Sequence, residues 1–181
     1  MKEKRAQMKV KPLKIPANSV SLAGEFAVLS QLALQGYDAN MTLGHTKNVD
    51  ILVSDPRRNR MYKLEVKTNL RDLKEKPAES KYFGKTVSDW IMHAKHERIY
   101  EDNLFYCFVT IGKAGHAFRF FIVPSRIVAN YVKREHSYWL KRTIKGKGGD
   151  MRLFRIGLRG EKYKFPTPTI EDYENNWGFH L

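Results

Sequence analysis

Glu25, Asp50, Glu65 and Lys67 are the residues of this 181-residue chain whose types and spacing could do chemistry. Three carboxyl groups and one ammonium fall in segments that otherwise read as apolar core. Asp50 lies inside Val49-Asp50-Ile51-Leu52-Val53, and Glu65 and Lys67 flank Val66 in Leu64-Glu65-Val66-Lys67-Thr68. Side chains of a strand alternate between its faces, so Glu65 and Lys67 share one face. If the two segments pair as neighbours, Asp50 reaches the same corner. Hard oxygen donors suit Mg2+ or Mn2+, which keep several waters. Asp50, Glu65 and the Val66 carbonyl would supply protein oxygens, and a substrate phosphate the rest. A cation held there lowers the pKa of a bound water and neutralises charge on a phosphodiester. Lys67 could orient or deprotonate that water, or stabilise the pentacovalent transition state. Glu25 falls on a helix about 60° from the centre of its apolar stripe, where a half-buried carboxylate needs a partner. Taken alone, an E-x-K triplet is more often a solvated cross-strand pair. The conjunction of all four residues, in this order, points to a site.

The elements that must position them follow from periodicity. The pattern predicts a helix over 19–35, with Ser19 or Ser21 as cap and Gly36 as its left-handed stop. Leu22, Phe26, Leu29 and Ala33 make its apolar stripe. Strands are expected over 37–43, 49–53 and 61–68, with turn chemistry at 54–59. A second helix is expected over 86–100, with Val87, Trp90, Ile91 and Ala94 on one face. Strands over 104–111 and 118–123, a third helix over 125–140, a Lys/Gly-rich loop over 141–149, a strand over 151–158 and a short acidic helix over 168–177 complete the chain. One domain over 18–181 is expected, with its core over 19–123, a C-terminal basic extension over 124–181 and a basic arm over 1–17.

The order helix, three strands, helix, strand, together with Gly24-Glu25, Val49-Asp50-Ile51-Leu52-Val53 and Leu64-Glu65-Val66-Lys67-Thr68, resembles the PD-(D/E)xK nuclease superfamily. The spacing is most similar to Holliday-junction-resolvase-like and small restriction-type members. Val49 stands where the motif name has proline, a position that donates no ligand. The resemblance implies an α/β fold with a restriction-endonuclease-like core: αβββαβ, a mixed central sheet flanked by helices, with C-terminal additions. It implies that Glu25, Asp50 and Glu65 bind Mg2+ or Mn2+ and that Lys67 assists hydrolysis. It also implies a homodimer, since cutting both strands calls for two active sites.

Charge supports an anionic partner. The formal charge is +14 and the sequence pI about 9.9. Residues 1–14 carry a net +5 and residues 141–164 a net +7, which is clustering of the kind a nucleic-acid footprint shows. Candidate backbone contacts are Lys47, Arg57, Arg58, Lys81, Lys85, Lys141, Arg142, Lys145 and Lys147. His45 and Asn48, with Lys47, are placed at the mouth of the site. Hydrophobic content of 42% argues against disorder. Cys107 is the only cysteine, which excludes an intramolecular disulfide framework and fits a reducing cytoplasm. It reads as a core thiol. No apolar run is long enough for a signal peptide or a membrane span. His93 and His96 read as surface residues, Tyr138 and Trp139 as packing residues of the third helix. The expected activity is metal-dependent hydrolysis of DNA phosphodiester bonds, of a structure-specific or restriction/repair type, with RNA as another partner the charge would allow. The alternative is a nucleic-acid-binding protein that keeps the fold without the chemistry.

Overall fold

The computed structural model describes residues 15–42, 48–71, 78–142, 149–160 and 165–180. It is an α/β protein with a mixed central sheet. The elements run α1 (Ala17–Leu34), β1 (Asp38–Met41), β2 (Ile51–Asp55), β3 (Arg60–Arg71), β4 (Ala78–Ser80), β5 (Gly84–His93), a 3-10 turn (Ala94–Glu97), β6 (Leu104–Gly112), β7 (Phe118–Pro124), α2 (Ser125–Leu140), β8 (Met151–Gly157) and α3 (Ile170–Tyr173).

The main sheet has the order β1-β2-β3-β6-β7; only β3 and β6 are parallel, the other neighbours antiparallel. All nine residues of β6 are buried. Phe105, Cys107 and Val109 pack on the face that carries α1, while Tyr106 and Phe108 pack on the other. A strand apolar on both faces is what a central position covered from both sides requires. The second face is covered by α2 and by a three-stranded sheet of order β4-β5-β8. Cys107 is a buried core thiol, as expected, and burial pushes its pKa up. No helix among the described residues is long and apolar enough to cross a membrane.

Four expectations are corrected. The helix over 86–100 is instead strand β5 followed by the 3-10 turn. Thr86, Ser88, Trp90 and Met92 are buried and alternate with more exposed neighbours, and Ile91, placed on the helix stripe, is solvent-facing. β-branched and aromatic residues at period two won over an equally legible period of 3.6. On α1, Gly24, Val28 and Leu32 face the core, whereas Leu22 and Phe26 are 46% and 56% exposed. Ala33 is exposed too, and only Leu29 of the expected stripe packs against the core. The α1 N-cap is Pro16, without a side-chain cap, in place of Ser19 or Ser21. His96, finally, is 1% exposed and no surface residue.

Candidate active site

The site begins where β2 ends. Antiparallel pairing of β2 with β3 starts at Ile51 opposite Leu64, and one residue earlier the Asp50 N–H donates to the Leu64 carbonyl at 2.8 Å. Thr42 fastens the same corner: its hydroxyl donates to the Val49 carbonyl at 2.7 Å and its N–H to the Asp50 carbonyl at 2.9 Å. Beyond Leu64, β3 continues to Arg71 against β6 alone. The Val66 N–H on the abandoned edge needs an acceptor, because an unpaired buried amide is costly. It donates to Asp50 Oδ2 at 2.7 Å, so a carboxylate stands where a ladder carbonyl would. The Val66 carbonyl leaves the strand on that same edge, as N–H and C=O of one strand residue do.

Glu65 and Lys67, on either side of Val66, project onto the face opposite α1, next to Tyr106 and Phe108 of β6. Lys67 Nζ lies 2.6 Å from Glu65 Oε1. Glu65 is 3% exposed, and its Oε2 is buried without a hydrogen-bond partner. Behind it sits His96, whose Nδ1 is 3.8 Å from Glu65 Oε2 and 2.8 Å from the Tyr106 hydroxyl. Burial lowers the His96 pKa to about 4 against the opposing pull of Glu65, so the imidazole is neutral at pH 7. Burial, then the nearby Glu65 carboxylate, drives the Tyr106 phenol upward.

Glu25 enters from α1. Gly24 is the reason the helix can lie so close to β3: a Cβ there would stand 1.9 Å from Thr68 Oγ1 and 2.9 Å from its Cβ. Glu25 is half-buried, and its pKa is raised by burial first and by Asp50 second, with Lys67 opposing. The Asp50 pKa is raised too, by burial, with Glu65 adding and the Val66 amide, Lys67 and Lys95 opposing. The carboxylates and Lys67 therefore share one electrostatic neighbourhood. They do not close into a cage: among the described residues no three His, Cys, Asp or Glu side chains converge to hold an ion by themselves. Of the expected trio, Asp50 is linked through charge to Glu25 on one side and to Glu65 on the other. The donor chemistry still fits a hard cation. Two carboxylates, one of them with an oxygen that lacks a hydrogen-bond partner, and a strand-edge carbonyl make the sparse oxygen set that Mg2+ takes alongside its waters. A cleft of about 250 Å³ runs on from this point, lined by Lys67, Thr68, Asn69, Arg71, Ser21 and Asp89.

The expected phosphate contacts fare unevenly. Arg57 and Arg58 sit at the far end of the β2–β3 hairpin, about 17 Å along the strand from Asp50 at 3.3 Å per residue. Both pair with Asp55 at 3.4 Å, and Arg57 also lies over the Tyr37 ring. Lys81 lies in the β4–β5 turn over Tyr82, Lys85 is half-buried in β5, and Lys141 and Arg142 are exposed after α2, with Arg142 over Tyr138. Lys47, Lys145, Lys147, His45 and residues 1–14 of the basic arm lie outside the described residues. Of the basic run 141–164, Arg152 pairs with Glu97, Arg155 with Glu135 and Arg159 with Asp172, so three of its five described cations are spent on internal partners.

Fold and site define an α/β protein with an acid–base cluster at the open edge of a mixed sheet. No family model matches the sequence, and no curated protein does. Among solved structures it is similar to that of a bacterial homing endonuclease, I-Ssp6803I, at 13% identity and a TM-score of 0.48, over 90% of each chain.

Proposed function

We propose that this protein is a metal-dependent endonuclease acting on DNA phosphodiester bonds, with a PD-(D/E)xK-type site at the open edge of β3. The observation that carries this reading is the Asp50 carboxylate held at 2.7 Å by the amide of Val66, the residue between Glu65 and Lys67. That one bond sets the Asp50 carboxylate against the strand residue flanked by Glu65 and Lys67.

Asp50, Glu65 and the Val66 carbonyl would hold Mg2+ or Mn2+, with Glu25 adding negative charge from the helix side. When bound, the ion supplies an acidified water and charge neutralisation at the phosphate. Lys67 then has two carboxylate-side duties. It is oriented by Glu65, and its ammonium can donate to the attacking water or to the charge that builds on the phosphate oxygens. The buried neutral His96 and Tyr106 exclude water from behind Glu65. The net charge of +14 favours a polyanion over small phosphoesters.

The test is cleavage of supercoiled plasmid and of branched DNA in Mg2+, Mn2+ or EDTA. The wild-type chain should cut with a divalent ion and stop in EDTA. Asp50→Ala and Lys67→Ala should each lose at least about 100-fold in rate, the scale of removing one transition-state contact, while still binding DNA. Full cleavage by Asp50→Ala would refute the proposal. Ion-independent binding with no cleavage in any metal would leave the non-catalytic alternative.

A further inference from the structure

We infer that Lys95, on the 3-10 turn after β5, is a second phosphate-contacting cation of this site. The inference rests on the nuclease reading above and adds a substrate contact to it. Lys95 is exposed, and its Nζ lies 3.1 Å from Oδ1 of Asn48, two residues before Asp50. Asn48 adopts a left-handed backbone with φ of 62°, a conformation asparagine tolerates better than most residues. Its amide holds the ammonium at the approach to the carboxylates. Lys95 is close enough for its charge to act on both Asp50 and His96.

The contrast with Lys67 gives the argument its force. Lys67 is committed to Glu65 at 2.6 Å. Among the described residues Lys95 has no carboxylate partner, only a neutral amide oxygen. An ammonium held by a neutral acceptor keeps its full charge available, and a phosphate oxygen outcompetes an amide for it. The turn is also firmly seated. His96, the next residue, is buried and bonded to Tyr106, and Glu97 pairs with Arg152 of β8. The backbone that carries Lys95 is therefore anchored on both following residues while its own side chain is free to meet the substrate. Lys95 contacts a non-bridging oxygen of the phosphate beside Asp50.

Two measurements on the full chain test this. The first is binding to a fluorescent DNA duplex in EDTA across a salt series. The second is single-turnover cleavage of the same duplex in Mg2+. In Lys95→Gln the slope of log affinity against log salt should become shallower by about one, the loss of one phosphate contact. Its cleavage rate should fall about tenfold, the order expected for one charge-assisted hydrogen bond. Lys95→Arg should restore the slope, and the melting temperature should not move because the side chain is exposed. A slope or a cleavage rate equal to wild type in Lys95→Gln overturns the inference and leaves the nuclease reading standing. A wild-type chain that does not cleave in any divalent ion overturns both.

Discussion

Glu65 and Glu135 are buried to the same degree, 3% and 4% exposed, and live in opposite circumstances. Glu135, on α2, faces Arg155 of β8, and the arginine in turn lies over the Phe83 ring at 4.1 Å. Around it the second sheet is pinned by further pairs of the same kind, Arg152 with Glu97, and Arg71 with Asp89 at its junction with β3. Each acid there has a planar guanidinium to itself. Glu65 has a lysine on one oxygen and only a neutral imidazole, at 3.8 Å, near the other, and its neighbours Asp50 and Glu25 are both pushed toward protonation. One region uses charge to fix the packing of two sheets and a helix. The other gathers more negative charge than it neutralises, which stability alone does not favour. An unbalanced cluster at a sheet edge is where a cation or a reacting group belongs.

The comparison can be broken by substitution. Glu135→Ala leaves Arg155 buried and uncompensated, and should cost about 3–5 kcal/mol, read as a fall in melting temperature of roughly 6–20 °C. Replacing both partners by methionine should recover most of that loss, since a matched apolar pair of similar volume is close to neutral. Recovery failing in the double variant would mean that the pair does more than balance charge. Gly24→Ala is the next effect in size. The added methyl meets Thr68 at its Oγ1 and Cβ, so α1 must move off β3 at about 1–3 kcal/mol, carrying Glu25 with it. Cleavage should fall along with stability, whereas a variant as stable as wild type would show that the close approach is not needed.

Asp50→Asn should be the mildest for stability. Burial holds the folded-state pKa of Asp50 above the ordinary carboxylate value. Its contribution is therefore fully present below that value and is lost as pH rises through the folded pKa. At neutral pH without metal the ionised carboxylate opposes folding, so the neutral isostere should melt no lower than wild type, and the gap should close as pH falls toward 4. A large loss of stability at pH 7 would place Asp50 with Glu135, among the structural acids.

The corner where Asp50, Glu65 and Lys67 meet was more legible in the sequence than the scaffold around it. The strand alternation at 64–68 and the acid inside 49–53 were enough to bring Asp50, Glu65 and Lys67 to one corner, because period two fixes which side chains share a face. Helix α1 was found, but not its inward face. Val20, Gly24, Val28 and Leu32 form a stripe as apolar as Leu22, Phe26, Leu29 and Ala33, and what decides between them is the contact of Gly24 with Thr68, which periodicity does not contain. β5 was misread because Val87, Trp90 and Ile91 satisfy a helical spacing as well as a strand. The basic run over 141–164 could not be divided into paired and unpaired charge, since its partners Glu97, Glu135 and Asp172 come from three distant elements. His96 and Lys95 gave no signal because they meet this corner only through the turn that replaced an expected helix, and Tyr106 because the β3–β6 register that sets it beside Glu65 is not written in either strand.

The most direct test is anomalous diffraction from crystals soaked in Mn2+. The account predicts a manganese peak within coordination distance of both the Asp50 and Glu65 carboxylates, beside the Val66 carbonyl. Saturating Mn2+ with no peak at that edge, or with the ion bound elsewhere on the chain, would contradict it.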